Sequence, residues 1–146
     1  MQISSLLVSD DPIHFPIAMP GLEECQQFQI THQPTTQAPV LYWLKSLDNP
    51  DVMLSVILPH LANIDYHFQL NDDEMAILQA KTAEEVLVLL PLYRTDKAED
   101  AQVDAVNGVA INATLHAPIL INPVTRLGMQ KILHKSEISA LIKEVV

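Results

Sequence analysis

Six histidines, one cysteine and several adjacent acidic pairs are the side chains of this 146-residue chain best suited to hold a metal, attack a carbonyl or move a proton. His14, His32, His60, His67, His116 and His134 show neither H-x-H nor H-x-x-x-H spacing. Those spacings would place two imidazoles on one strand face or one helix face, so no metal site is encoded locally. His67 and His116 occupy polar positions of alternating segments and are expected to be solvent-facing strand histidines. Cys25 has no C-x-x-C partner, and a carboxylate at Glu23 or Glu24 would disfavour its thiolate, so a partly buried structural thiol is expected. The pairs Asp10-Asp11, Asp72-Asp73 and Glu84-Glu85 sit at turns or element starts, where carboxylates cap and solvate. There is no G-x-S-x-G elbow and no phosphate-cradling glycine loop, and the three glycines lie far apart. The residues therefore predict no catalytic set, no cofactor and no metal.

The charge balance narrows the partners. Eight basic residues face 18 acidic ones, for a net charge of −10. Such a surface repels phosphate, so no direct nucleic-acid contact and no membrane contact are expected. The imbalance is local: residues 1–104 hold 4 basic and 16 acidic residues, and residues 105–146 hold 4 basic and 2 acidic. A single cysteine cannot form an internal disulfide, and no basic residue precedes the first short apolar run. Both features point to the cytoplasm.

The elements that must position these residues are mostly strands. Every odd position from Val109 to Ile121 is apolar, and the even positions include Asn112, Thr114, His116, Pro118 and Asn122. This alternation predicts one half-buried strand or two in line, with Ile111, Leu115, Ile119 and Ile121 facing the core. Residues 66–70 and 13–17 alternate as well. Residues 40–47, 52–58 and 86–93 are apolar on both faces and read as central strands. Asn71 with Glu74 three residues on predicts a capped helix over residues 72–80. Ile138, Leu141, Ile142 and Val145 fall at i, i+3, i+4 and i+7, which predicts an amphipathic helix over residues 136–146. Residues 94–107, RTDKAEDAQVDAVN, are small and charged and predict an exposed loop ending at a hairpin dipeptide, Asn107-Gly108. The expected fold is all-β: an antiparallel barrel-like or sandwich single domain over residues 1–146, with one short internal helix and the C-terminal helix.

A resemblance runs through these segments. YWLKSLDNPD at 42–51, DYHFQLNDDE at 65–74, EVLVL at 85–89, APILIN at 117–122 and TRLGMQ at 125–130 resemble the flagellar assembly factor FliW family. Phe15-Pro16 and Pro20-Gly21-Leu22-Glu23 fit its opening. The blocks occur in the family's order. Ala18 stands where the family usually has Gly, and Thr114-Leu115 where it usually has Asn-Leu. The resemblance implies a cytoplasmic β-barrel-like protein without enzymatic activity. It implies two partners, a CsrA-type RNA-binding regulator whose translational repression is relieved, and flagellin. Exchange between them couples flagellin synthesis to export. The chain is expected to be monomeric when free.

The binding surface is expected at the hairpin loop over residues 122–128 and the adjoining polar face of strand residues 42–45. The named residues are Tyr42, Trp43, Lys45, Asn122, Thr125, Arg126 and Leu127. A loop joining two strands projects from the sheet, and arginine and tryptophan are enriched where binding energy concentrates. Asn122 bonded only to its own turn, or Arg126 paired with a carboxylate, would be the structural alternative. A small ligand-binding or enzymatic barrel with a histidine-lined pocket, and an acidic mimic of RNA, are the competing functional readings.

Overall fold

The computed structural model describes residues 7–32, 41–62, 64–94, 103–106, 109–134 and 139–142. Among the described residues eleven strands are formed in chain order: β1 (Ile13–His14), β2 (Gln27–His32), β3 (Tyr42–Ser46), β4 (Met53–Ile57), β5 (Ile64–His67), β6 (Leu87–Arg94), β7 (Val103–Val106), β8 (Val109–Ala113), β9 (Ile119–Asn122), β10 (Leu127–Gln130) and β11 (Ser139–Ile142). An α-helix, α1 (Asp72–Ile77), lies between β5 and β6. Strands β4, β3, β2, β1, β10, β9 and β6 are neighbours in that order, and β6 pairs back onto β4 through Val56 with Pro91 and Ile57 with Leu90. The result is a closed seven-stranded barrel, which leaves those strands no free edge. His14 meets Leu127 in parallel, and the other barrel pairs are antiparallel.

Strand β6 does two jobs. Its first half pairs with β9, Leu87 to Ile121 and Leu89 to Ile119. Its second half leaves the barrel and pairs with β8, which pairs with β7. Pro91 sits at the changeover. It cannot donate to a ladder, but its carbonyl accepts the Thr114 amide at 2.7 Å.

Alternation in β2 and β3 sends Phe28, Ile30, Tyr42 and Leu44 inward, where they pack with Leu7, Ile13, Phe15, Val56, Leu89, Ile119 and Ile121. The Phe15 and Phe28 rings meet edge to face at 5.1 Å. A second apolar layer lies outside the barrel, where Leu78, Val86, Leu120 and Met129 pack together beneath α1. All four residues of β9 are therefore buried, Ile119 and Ile121 within the barrel and Leu120 in the outer layer. A third cluster joins Leu41, Ile57, Ile64 and Leu90, with Tyr66 and Leu115 against it. Helix α1 starts as the sequence predicts: the Asn71 side chain accepts the Glu74 amide at 2.8 Å, and Glu74 accepts the Asn71 amide at 2.9 Å.

Three expectations are corrected. The C-terminal helix over residues 136–146 is not formed where the chain is described, because Ser139–Ile142 is strand β11, antiparallel to β5. β5 lies outside the barrel and its backbone groups need a partner, which the C-terminal segment supplies. The loop over residues 94–107 contains strand β7, paired with β8, while residues 95–102 and 107–108 lie outside the described residues. The helix over residues 72–80 is shorter, ending at its C-cap Leu78. Strand β2 forms where no strand was expected, although Phe28 and Ile30 alternate there with Gln27, Gln29 and Thr31. The run over residues 109–122 is two strands, β8 and β9, with exposed His116 between them and Leu115 half-buried in the third cluster.

Candidate docking face and its supports

The register of β2, β3 and β4 places Gln29, Lys45 and Met53 in one row and Thr31, Trp43 and Ser55 in the next. Residues directly opposite across a ladder share a face, so these six point outward, away from Tyr42, Leu44 and Val56 in the core. Lys45 is exposed, and its Nζ stands 4.8 Å from the centre of the half-buried Trp43 indole. Met53 is 48% exposed, and Leu47, one step beyond Lys45, is 55% exposed. Together they form an apolar strip with one cation on it. Large apolar side chains left in water on one sheet face are the usual mark of a protein contact.

The end of this strip is fixed by the turn between β3 and β4. Ser46 Oγ accepts the Asp48 and Asn49 amides at 3.1 and 3.0 Å. Asn49 accepts the Asp51 amide and donates to Glu24 at 3.0 Å. The Asp48 carboxylate accepts the Gln26 and Gln27 amides at 2.8 and 2.9 Å, and these donors hold its pKa below the ordinary value. The segment SLDNPD is thus a local hydrogen-bonded turn that clamps β2 to β3.

Of the residues named from the sequence, Trp43 and Lys45 lie on this face. Tyr42 points the other way, 7% exposed, and burial raises its phenol pKa. The 122–127 turn is bound inward rather than projecting. Asn122 is buried, donates to the Leu78 carbonyl at 3.0 Å and accepts the Val124 and Thr125 amides. Thr125 Oγ1 donates to the same Leu78 carbonyl at 3.0 Å. Arg126 has a positive φ of 59°, and its guanidinium donates to the Leu7 carbonyl at 3.2 Å and the Asp11 carbonyl at 2.7 Å. Its charge is spent holding the segment before β1, and burial lowers its pKa. Leu127 packs in the layer under α1, and Val124 is the exposed residue of the turn, at 69%. Leu47 and Met53 join this face without a sequence signal that marks them as site residues. The pairing of Met53 with Lys45 could have pointed to Met53, but register is not visible in one strand alone.

A groove of about 580 Å³ lies between residues 66–70 and Val86 and Val88, with Met75 and Lys81 along it. Among the described residues His67 is the one histidine lining it, and it bonds Asp65 at 2.5 Å in the open. Beside it, Lys131 reaches Glu74 at 2.7 Å and the Gln69 carbonyl at 3.0 Å. Both members of that ion pair are 11% exposed, and the pair ties α1 to the chain after β10. Among the described residues no group of three or more His, Cys, Asp or Glu is placed to hold a metal. No described helix is long and apolar enough to cross a membrane.

The fold and this face define a closed, mostly antiparallel β-barrel that presents an outward sheet surface. The model of one family, the FliW protein, matches residues 5–143. The flagellar assembly factor FliW of Chromobacterium violaceum is 38% identical over 120 residues, spanning 82% of this chain and 80% of that protein. That of Azoarcus sp. (strain BH72) is 31% identical over 138 residues, spanning 94% and 90%. A crystal structure of the flagellar assembly factor FliW superposes with a TM-score of 0.69 at 28% identity, covering 87% of this chain and 80% of that one. The chain belongs to the FliW family.

Proposed function

We propose that this protein is a non-enzymatic regulator of flagellar assembly that acts by binding other proteins. Its partners are a CsrA-type RNA-binding regulator, which it antagonises, and flagellin, so that flagellin synthesis follows assembly. It works in the cytoplasm, as a single-domain monomer when free. The observation that carries the reading is the strip Trp43, Lys45, Leu47 and Met53 on the outward face of the barrel wall. Family membership supports both the partners and the non-enzymatic reading. Within the site, Trp43 and Lys45 make contact, while Tyr42, Asn122, Thr125, Arg126 and Leu127 hold the wall and its neighbouring turn in place.

Calorimetric titration with a purified CsrA-type regulator and with flagellin tests the reading. The wild-type chain is expected to bind both. Trp43→Ala is expected to weaken at least one of them tenfold or more, about 1.4 kcal/mol, with an unchanged melting temperature. Failure of the wild-type chain to bind either protein would refute the proposal.

A further inference from the structure

Lys45 is an unusual residue in its setting. The chain carries 18 acidic side chains, yet among the described residues none lies within ion-pair distance of the Lys45 ammonium. The residues that face Lys45 across its ladders, Gln29 and Met53, are uncharged, as are Thr31 and Ser55, which face Trp43 one step along the same strand. Two acids at the end of the strip already have partners, Asp48 on the Gln26 and Gln27 amides and Glu24 on Asn49. The ammonium instead rests over the Trp43 ring.

A protein that covers Trp43, Leu47 and Met53 must also strip water from Lys45. An ammonium desolvated against an indole alone is poorly compensated, and a carboxylate brought by the partner restores the balance. A polyphosphate could supply negative charge too, but a chain of net charge −10 repels a polyanion. A second copy of this chain meets the same repulsion. Resting on the docking reading above, we propose that this strip receives an apolar protein segment bearing a carboxylate that pairs with Lys45. Lys45 then sets specificity: apolar contact gives the area, and the charge rejects segments without an acid.

Trp43 is the only tryptophan of the chain, so its fluorescence reports on this face directly. The experiment follows acrylamide quenching of Trp43 alongside calorimetry, with flagellin and with the CsrA-type regulator in separate arms. The arms identify which protein supplies the segment. The docking partner is expected to shield Trp43 and to bind Lys45→Met at least tenfold more weakly. Lys45→Arg should stay within about threefold of wild type, because it keeps the charge. Added salt should weaken the wild-type complex and leave the Lys45→Met complex nearly unaffected. A shielded Trp43 with equal affinity for wild type and Lys45→Met would overturn the carboxylate contact. A complex seen by calorimetry with Trp43 unshielded would move the site elsewhere and leave the proposed function standing. No complex in either arm would remove that function and this inference together. Concentration-dependent doubling of mass that Lys45→Met abolishes would make the occupant a second copy and refute the inference.

Discussion

Gly128 lies on β10 opposite Ile121 of β9, and a β-carbon there has nowhere to go. Built on this backbone, it would stand 2.8 Å from Cε1 and Cζ of Phe15 and 3.0 Å from Cγ2 of Ile13. Both side chains are fully buried, and the Phe15 ring is braced edge-on against Phe28. The ring therefore cannot yield without displacing a second buried ring. Overpacking of this kind costs about 1–3 kcal/mol. Gly→Ala recovers about 0.4–1 kcal/mol by reducing the freedom of the unfolded chain, so Gly128→Ala is expected to lose about 1–2 kcal/mol. For a chain of this length that lowers the melting temperature by about 2–8 °C. Urea denaturation with the slope compared between variants measures it. Phe15→Leu opens space at the contact, so the double variant Gly128→Ala/Phe15→Leu should be less destabilised than the two single changes added together. A Gly128→Ala protein as stable as wild type, or an additive double variant, would show that the barrel interior relaxes around the contact and that the steric argument fails.

Lys131→Met leaves the Glu74 carboxylate with the Asn71 amide but without its counter-charge and is expected to cost about 3 kcal/mol by chemical denaturation, much of it recovered in Lys131→Met/Glu74→Gln, where no charge is left buried. Asn122→Ala should cost about 1–3 kcal/mol. Thr125→Ala should cost less, and the double change more than the sum, since both side chains donate to the Leu78 carbonyl. Tyr66 donates to the Leu115 carbonyl, and burial pushes its pKa from 10.0 up to about 12. The folded state disfavours the phenolate, so the Tyr66 contribution is complete below pH 10 and is lost as pH rises towards 12. Absorbance titration at high pH should show the late ionisation, and Tyr66→Phe should remove that part of the stability loss.

Local chemistry was readable from the residues alone. The Asn71–Glu74 capping box depends on atoms three residues apart, and it forms as the spacing predicts. The strands over residues 42–46, 53–57 and 87–94 follow from apolar runs bounded by turn residues, and Ile119 and Ile121 are buried as their parity requires. His116 is exposed for the same reason. The ordered blocks from 13 to 133 also carried the family, since their spacing reflects one particular barrel.

Long-range pairing decided the rest. Closure through Val56 with Pro91, and the parallel step of His14 beside Leu127, join residues far apart in the chain and leave no periodic trace. The stripe at Ile138, Leu141, Ile142 and Val145 suits one helix face, yet Ser139–Ile142 became strand β11 because β5 outside the barrel supplies a ladder partner. Hydrogen bonds to an existing edge outweigh a narrow apolar stripe with no surface of its own. Arg126 illustrates the same limit at the site. Its type and its turn suggested an outward contact, but a left-handed backbone and the carbonyls of Leu7 and Asp11 turn it inward. Trp43 and Lys45 could be named from the sequence. Cross-strand register alone made them neighbours of Met53 and turned an alternating pattern into one surface.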